Sequence, residues 1–491
     1  AAQIAALDTT HIRAFAATHI AALTTTQIAA LNATNFAALS EGQVQALTTT
    51  QLQAASTSQV ANFTETQLSA LSTTQVASLS SAQLRVFSQT NLSALDAAQM
   101  AALTATQIAG LTTTQIRELN ATDLGELTAA QIAALTSAQV RALTETNVGD
   151  LADTQIAALT ATQIVSLSTA NVAALNETQA TALTAAQIAA LSTAQVRALS
   201  ETNLAALDAT QVAALTTTQA RSLTASQIEA LTAADVAEFT ATQLAAFQTT
   251  QLQALNASAV SQLSGAQVAA FGQSQISRLT TEALSALDAA QVSALTTTQL
   301  GGLTATQIEA LSAEDVAEFN QTQLASLSRA QAAALTSTNL ASLAGTQIAA
   351  FTATQLQTVT AEELSALDAG QAAALTTTQI AAITTTQAAG LSATDMTELS
   401  AAQVGAFGAS QLARLSDEAL SALDGGQMNA LSATQLRALS TTQLAAISAS
   451  DLAELSTTQL AALTTTQVRA LGETNVAELS EAQIAAFSAS Q

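Results

Sequence analysis

An eight-residue phase runs from Asp8 to Gln491 without one insertion or deletion, and it constrains the fold more than any other feature of the chain. Let the remainder of each residue number divided by eight define slots 0 to 7. Slot 0 is then Ser, Thr, Asp or Asn at 54 of 61 positions, and slot 3 is Gln at 44 of 62. Slot 4 is mostly Ile, Val or Leu, and slot 7 is almost always Leu or Phe. Ten of the eleven Phe occupy slot 7, with Phe36 alone in slot 4.

The two large apolar slots are three and then five residues apart, so in a strand they would point to opposite faces; Ala and Gln are also poor strand formers. One continuous helix fails as well. Eight residues at about 100° each carry the apolar stripe roughly 80° around the axis per octad, so it circles the rod within a few repeats. A helix must therefore break once per octad.

The break is written in slots 0 and 3. A slot 0 Ser, Thr, Asp or Asn followed three residues on by Gln is a capping box, as at Thr24 and Gln27, Thr112 and Gln115, and Thr376 and Gln379. Charge placement agrees: 25 of 35 acids lie in slots 0 to 3 and 10 of 11 Arg in slots 5 or 6, the asymmetry that a helix dipole favours. A helix this short is not stable alone, so stacking must hold it. Slots 4 and 7 form the buried seam, as Ile28 and Leu31, Ile116 and Leu119, and Ile380 and Ile383. The Ala of slots 5 and 6 lets neighbouring helices approach.

The expected fold is all-α: a solenoid, or superhelical coil, of very short capped helices, one per eight-residue repeat. Length alone would suggest about three domains, but repeats override that prior, and residues 1–491 read as a single continuous array of about 61 repeats. A buried slot 3 Gln without partners would cost roughly 1 to 3 kcal/mol. Each is therefore expected to cap its own helix and to bond backbone at an inter-helix corner.

A slower rhythm overlies the octad. LTASQIEALTAADVAEF from Leu223 and LTATQIEALSAEDVAEF from Leu303 lie ten octads apart, as do the slot 3 departures Ala283 and Glu363. FGQSQISRLTTEALSALD from Phe271 returns seventeen octads on as FGASQLARLSDEALSALD from Phe407, which suggests duplication in blocks.

Composition narrows function mainly by exclusion. A formal charge of −24, with no Lys, Trp or Tyr, opposes binding to nucleic acid or anionic membranes. No apolar run approaches a membrane span of about 18 residues. Without Lys there is no GxxxxGK[ST], and GxGxxG, HExxH and GxSxG are absent. The reading is of a protein that is not an enzyme and carries no cofactor.

His11 and His19, with Asp8 as a third group, are the candidate metal ligands, against the simpler reading that His replaces Gln as a cap. Asp123, Asp235, Asp315, Asp395 and Asp451 take slot 3, in octads that carry Glu126, Glu238, Glu318, Glu398 and Glu454 in slot 6. Such pairs could bind calcium, although capping carboxylates account for them and no EF-hand loop is present. Thr runs such as Thr24 to Thr26 could match an ice lattice, although slot 0 Thr is itself a cap.

The octads LTTTQIAAL (Leu23 to Leu31), LTATQIEAL (Leu303 to Leu311) and LSTTQLAAI (Leu439 to Ile447) resemble repeats of very long bacterial surface or secreted proteins, often labelled adhesin, haemagglutinin-like or haem utilisation proteins. The resemblance implies an extracellular, extended, structural role. It does not carry haem binding here, because two His and no Cys or Tyr leave almost no axial ligands. The expectation is a surface filament, stalk or adhesin shaft, with an ice-binding or calcium-stabilised secreted repeat as alternatives. Neither end carries a distinctive polar capping repeat, which suggests a segment of a longer protein or a subunit that associates end to end or laterally into a fibre. A host or cell-surface ligand would then be met through regions outside this chain.

Overall fold

A computed structural model describes residues 2–491. The described chain is all-helical, with 61 helices of four to six residues and no strand. Every helix after the first, Ala2–Ala5, starts in slot 1 behind a slot 0 residue in extended backbone and stops at slots 4 to 6. The helix Thr25–Ala30 shows why. Thr24 Oγ1 accepts from the Gln27 amide, Leu31 leaves the helix at φ −63° and ψ 131°, and Asn32 follows at φ −71° and ψ 162° to cap the next helix. The corner is thus two consecutive extended residues, and no described residue has positive φ. Because no left-handed residue is required, a large Leu can stand at the corner and point inward.

Two compact units divide the chain, Ala1–Phe247 and Gln248–Gln491, and each has the same local plan. A helix packs against the helix three octads away, as Thr25–Ala30 does on Thr49–Ala54 in the first unit and Gly265–Ala269 on Ala289–Ala294 in the second. Slots 4 and 7 fill the interior: Ile28, Leu31, Ile116, Leu119, Ile380 and Ile383 are all buried. Burying one such side chain is worth about 1.5 to 3 kcal/mol, which a short helix cannot supply from its own hydrogen bonds.

Neighbouring turns touch through slot 6 of one helix and slot 1 of the helix three octads earlier. A Cβ on Gly390, in slot 6, would lie 2.7 Å from the Cβ of Ala361, in slot 1. This contact explains why Ala dominates slot 6, and why a bulky residue there must reach past the start of the preceding turn's helix.

Candidate functional site

The repeated polar element is the slot 3 amide. In the octad beginning at Ser56, Gln59 Oε1 accepts from the Ser56 N–H at 2.7 Å, and Gln59 N–H donates to Ser56 Oγ at 3.2 Å. Gln59 Nε2 donates to the carbonyls of Ile28, at 2.8 Å, and Leu31, at 2.7 Å. Those two carbonyls end the helix four octads earlier, where the Ile28 carbonyl already accepts from the Leu31 N–H and the Leu31 carbonyl takes no N–H of its own helix. One side chain therefore caps the start of its own helix and the end of another.

Gln115 repeats the geometry, taking the Thr112 N–H and donating to Leu84 and Phe87. Gln379 takes the Thr376 N–H and donates to Ile348 and Phe351. Gln27 closes the box with Thr24. Since Gln reaches back 28 and 31 residues while helices pack three octads apart, each turn holds between three and four octads.

Departures from Gln change the rung in ways that side-chain length explains. Asn147, Asn171 and Asn203 are one methylene shorter and reach a single carbonyl, that of Leu119, Leu143 and Leu175, each 28 residues back. Ala283 and Ala419 have no group to offer. A carboxylate cannot donate: Asp315 and Glu363 accept from the N–H at the start of their own helix and make no bond to the turn before. Asp123 and Asp395 accept from that N–H and also from hydroxyls 30 residues earlier, Ser93 Oγ at 2.6 Å and Ser365 Oγ.

These departures are not scattered. From Asn91 onward they follow at steps of three or four octads only, through Asp123, Asn147, Asn171, Asn203 and Asp235 in the first unit and from Ala259 to Asn475 in the second. Six of the fourteen steps are of four octads and eight of three, so the mean step falls between three and four octads, which is one turn of the coil. Within each unit the departures therefore form a line along the coil. Where the step is three octads, successive helices pack directly, as Ala121–Gly125 on Glu145–Asp150 and Ala393–Glu398 on Asp417–Ser421. At three of the four-octad steps a side chain bridges, Ser93 to Asp123, Asn203 to the Leu175 carbonyl and Ser365 to Asp395.

Charge follows the same line. Counting Asn35 with them, the sixteen octads that carry these departures in the two units hold 21 of the 35 acids and none of the 11 Arg. Asp holds six slot 0 positions, and five of them stand at the head of the octad three before a slot 3 Asp: Asp96 before Asp123, Asp208 before Asp235, Asp288 before Asp315, Asp368 before Asp395, and Asp424 before Asp451. With the slot 6 Glu, each pair becomes a triad of carboxylates. The slot 6 to slot 1 contact brings them together, since a Cβ on Gly425 would strike the Glu454 carboxylate. Burial pushes the Glu126 carboxyl up, and Asp123 and Asp96 push it further. The same order holds for Glu238 with Asp235 and Asp208, and for Glu318 with Asp315 and Asp288. The triads escape an octad-by-octad reading; a search for slot 0 and slot 3 acids that recur across one turn finds them.

His11 Nδ1 lies 2.6 Å from Asp8 Oδ1, both side chains being well exposed, and hydrogen bonds from His11 hold the Asp8 carboxyl below its ordinary value. His19 Nδ1 accepts from the Ala16 N–H instead, as a slot 3 cap. Among the described residues, no three His, Cys, Asp or Glu are arranged to hold a metal ion, and no helix is long and apolar enough to cross a membrane. Thr24, Thr25 and Thr26 are exposed.

A family model, the ALTTAQ repeat, matches the chain four times, over residues 4–41, 116–153, 182–217 and 444–481. The chain is a repeat protein. The four matched stretches of this repeat protein keep the phase of the octads between them, so one pattern accounts for matched and unmatched residues alike. No curated protein matches it.

Proposed function

We propose that this repeat protein is a structural element, the shaft or filament of an extracellular surface protein, and not a catalyst. The observation that carries the reading is the slot 3 rung. The commonest slot 3 side chain, Gln, is engaged by backbone through both its oxygen and its nitrogen, capping one helix and tying it to a helix four octads away. A side chain held in this way maintains the coil along its length. Stability in such an array is a sum of similar neighbour terms, which suits a part whose task is to span distance.

Surface location and fibre formation, end to end or lateral, belong to the same proposal. The high negative charge supports solubility outside the cell, and the resemblance to long surface proteins supports the location. The test is negative-stain electron microscopy of the purified protein at several concentrations, with antibody labelling of intact producing cells. Slender particles or fibres on labelled cells are the expected result. Compact particles, or labelling only after permeabilisation, would overturn it.

A further inference from the structure

Three properties coincide on the line of slot 3 departures. Cross-turn bonds thin out there: Asn makes one where Gln makes two or more, and Ala283, Asp315, Glu363 and Ala419 make none through a side chain. Acids crowd there without any Arg in the same octads. Three of its carboxylates, those of Glu126, Glu238 and Glu318, each have an Oε2 that is shut off from solvent and accepts no hydrogen bond. A buried oxygen of this kind is costly when charged, because neither water nor a donor compensates it.

We propose that this line is a proton-controlled seam of the coil, loosened when its carboxylates are charged and tightened when the slot 6 Glu take up protons. The proton comes from solvent and binds Glu Oε2, which turns an acceptor without a partner into an O–H donor. The adjacent Asp carboxylate is the acceptor, and one negative charge leaves the triad. The raised Glu126, Glu238 and Glu318 carboxyls agree with this direction.

The surroundings offer no competing cation. Glu126 faces Asp123 on its own helix and Asp96 at the cap of the helix three octads earlier, and the packed helix Glu145–Asp150 adds two further acids. Glu238 faces Asp235 and Asp208. Glu318 faces Asp315 and Asp288, with Glu314 on its own helix and no titratable group on the packed helix Ser337–Ser342.

The experiment is amide hydrogen exchange of the full chain at pH 5 and 7.5, compared as protection factors. It uses the wild type, the triple variant Glu126→Gln, Glu238→Gln, Glu318→Gln, and a control with Glu41→Gln, Glu65→Gln and Glu177→Gln. The control removes as much charge from exposed positions off the line. The wild type and control should gain about tenfold in protection around the three triads on acidification. The triple variant should be protected at both pH values, because a Gln amide supplies the donor permanently. Equal loss of the response in the control would overturn the seam, since net charge would then explain it. Retention of the response in the triple variant would overturn it too, as would tightening of the wild type by calcium at pH 7.5. Should the triple variant fail to fold, Glu318→Gln alone, read at residues 288–318, decides the same question.

Discussion

The Gln59 side-chain nitrogen donates to the Leu31 carbonyl, 2.7 Å away and 28 residues earlier in the chain. Repeated at most slot 3 positions, this single bond, with its companion to the slot 4 carbonyl, sets the distance between turns. It also makes each turn depend on the next.

Removing it should loosen the coil locally. Gln59→Ala removes the side-chain partner of the Leu31 carbonyl and of the Ser56 N–H, and leaves the Ile28 carbonyl only the Leu31 N–H, at about 1 kcal/mol for each bond lost. Gln59→Asn should cost less, since Asn keeps the cap and the bond to slot 7, as Asn147 does to Leu119. Because long arrays do not unfold in one step, local opening by hydrogen exchange at residues 24–31 and 56–63 is the suitable measurement. Equal protection in wild type and both variants would refute the role given to the rung.

Caps give changes of both signs. Thr112→Ala removes the acceptor for the Gln115 amide and should destabilise its octad by about 1 kcal/mol. Ala152 occupies a slot 0 position in the same extended backbone but offers no side-chain acceptor. Ala152→Thr should therefore stabilise by about 0.5 to 1 kcal/mol. Exchange of the Gln115 and Gln155 amides reads both.

Core positions separate loss from gain in the same way. Ile116 is buried in slot 4, and Ile116→Ala should cost about 2 to 5 kcal/mol. Ala372 stands in the same slot beside a cavity of about 20 Å³ lined by Leu375, Ile380 and Leu399. Ala372→Val should add about 1 kcal/mol by filling it. Urea titrations followed by circular dichroism, with a probe in each unit, would place the two effects in their own halves.

The pH dependence has a defined sign. A raised Glu318 carboxyl means that the folded state binds the proton more tightly than the unfolded chain, so stability falls as pH rises from the ordinary value of 4.5 through the folded value. Glu318→Gln should remove that fall and be more stable than wild type at pH 7.5. Glu282 runs the other way: hydrogen bonds from backbone and from the Thr280 and Thr281 hydroxyls lower its carboxyl, so its contribution is lost as pH falls. Thermal unfolding of Glu318→Gln and Glu282→Gln from pH 3 to 8 should give slopes of opposite change. Parallel curves would contradict both assignments.

Much of the fold is legible in a single octad. The spacing of Thr24, Gln27, Ile28 and Leu31 already implies a cap, a short helix and an inward face, because these depend on contacts within one or two turns of backbone. The far end of a slot 3 Gln is not legible in the same window. The partners of Gln59 lie 28 and 31 residues back, and only the closed coil reveals them. The number of octads per turn was nevertheless present in the chain, in the steps of three and four octads between Asp123, Asn147, Asn171 and Asn203. The Asp and Glu of slots 3 and 6 look like ordinary first- and last-turn acids until Asp96 is placed beside Asp123 and Glu126. No signal within one octad could have joined them.

A turn of the coil is not a whole number of octads, and this mismatch works like the offset scales of a vernier. Inserting any whole number of octads preserves every cap and rung, so the chain can be lengthened almost freely. Keeping a straight mark along one side is far stricter, since only inserts close to a whole number of turns leave it aligned. In the second unit the block from Phe271 returns at Phe407, seventeen octads on and near five turns. A repeat at that distance fits the coarser ruler, the one that keeps the acidic residues of this unit in line.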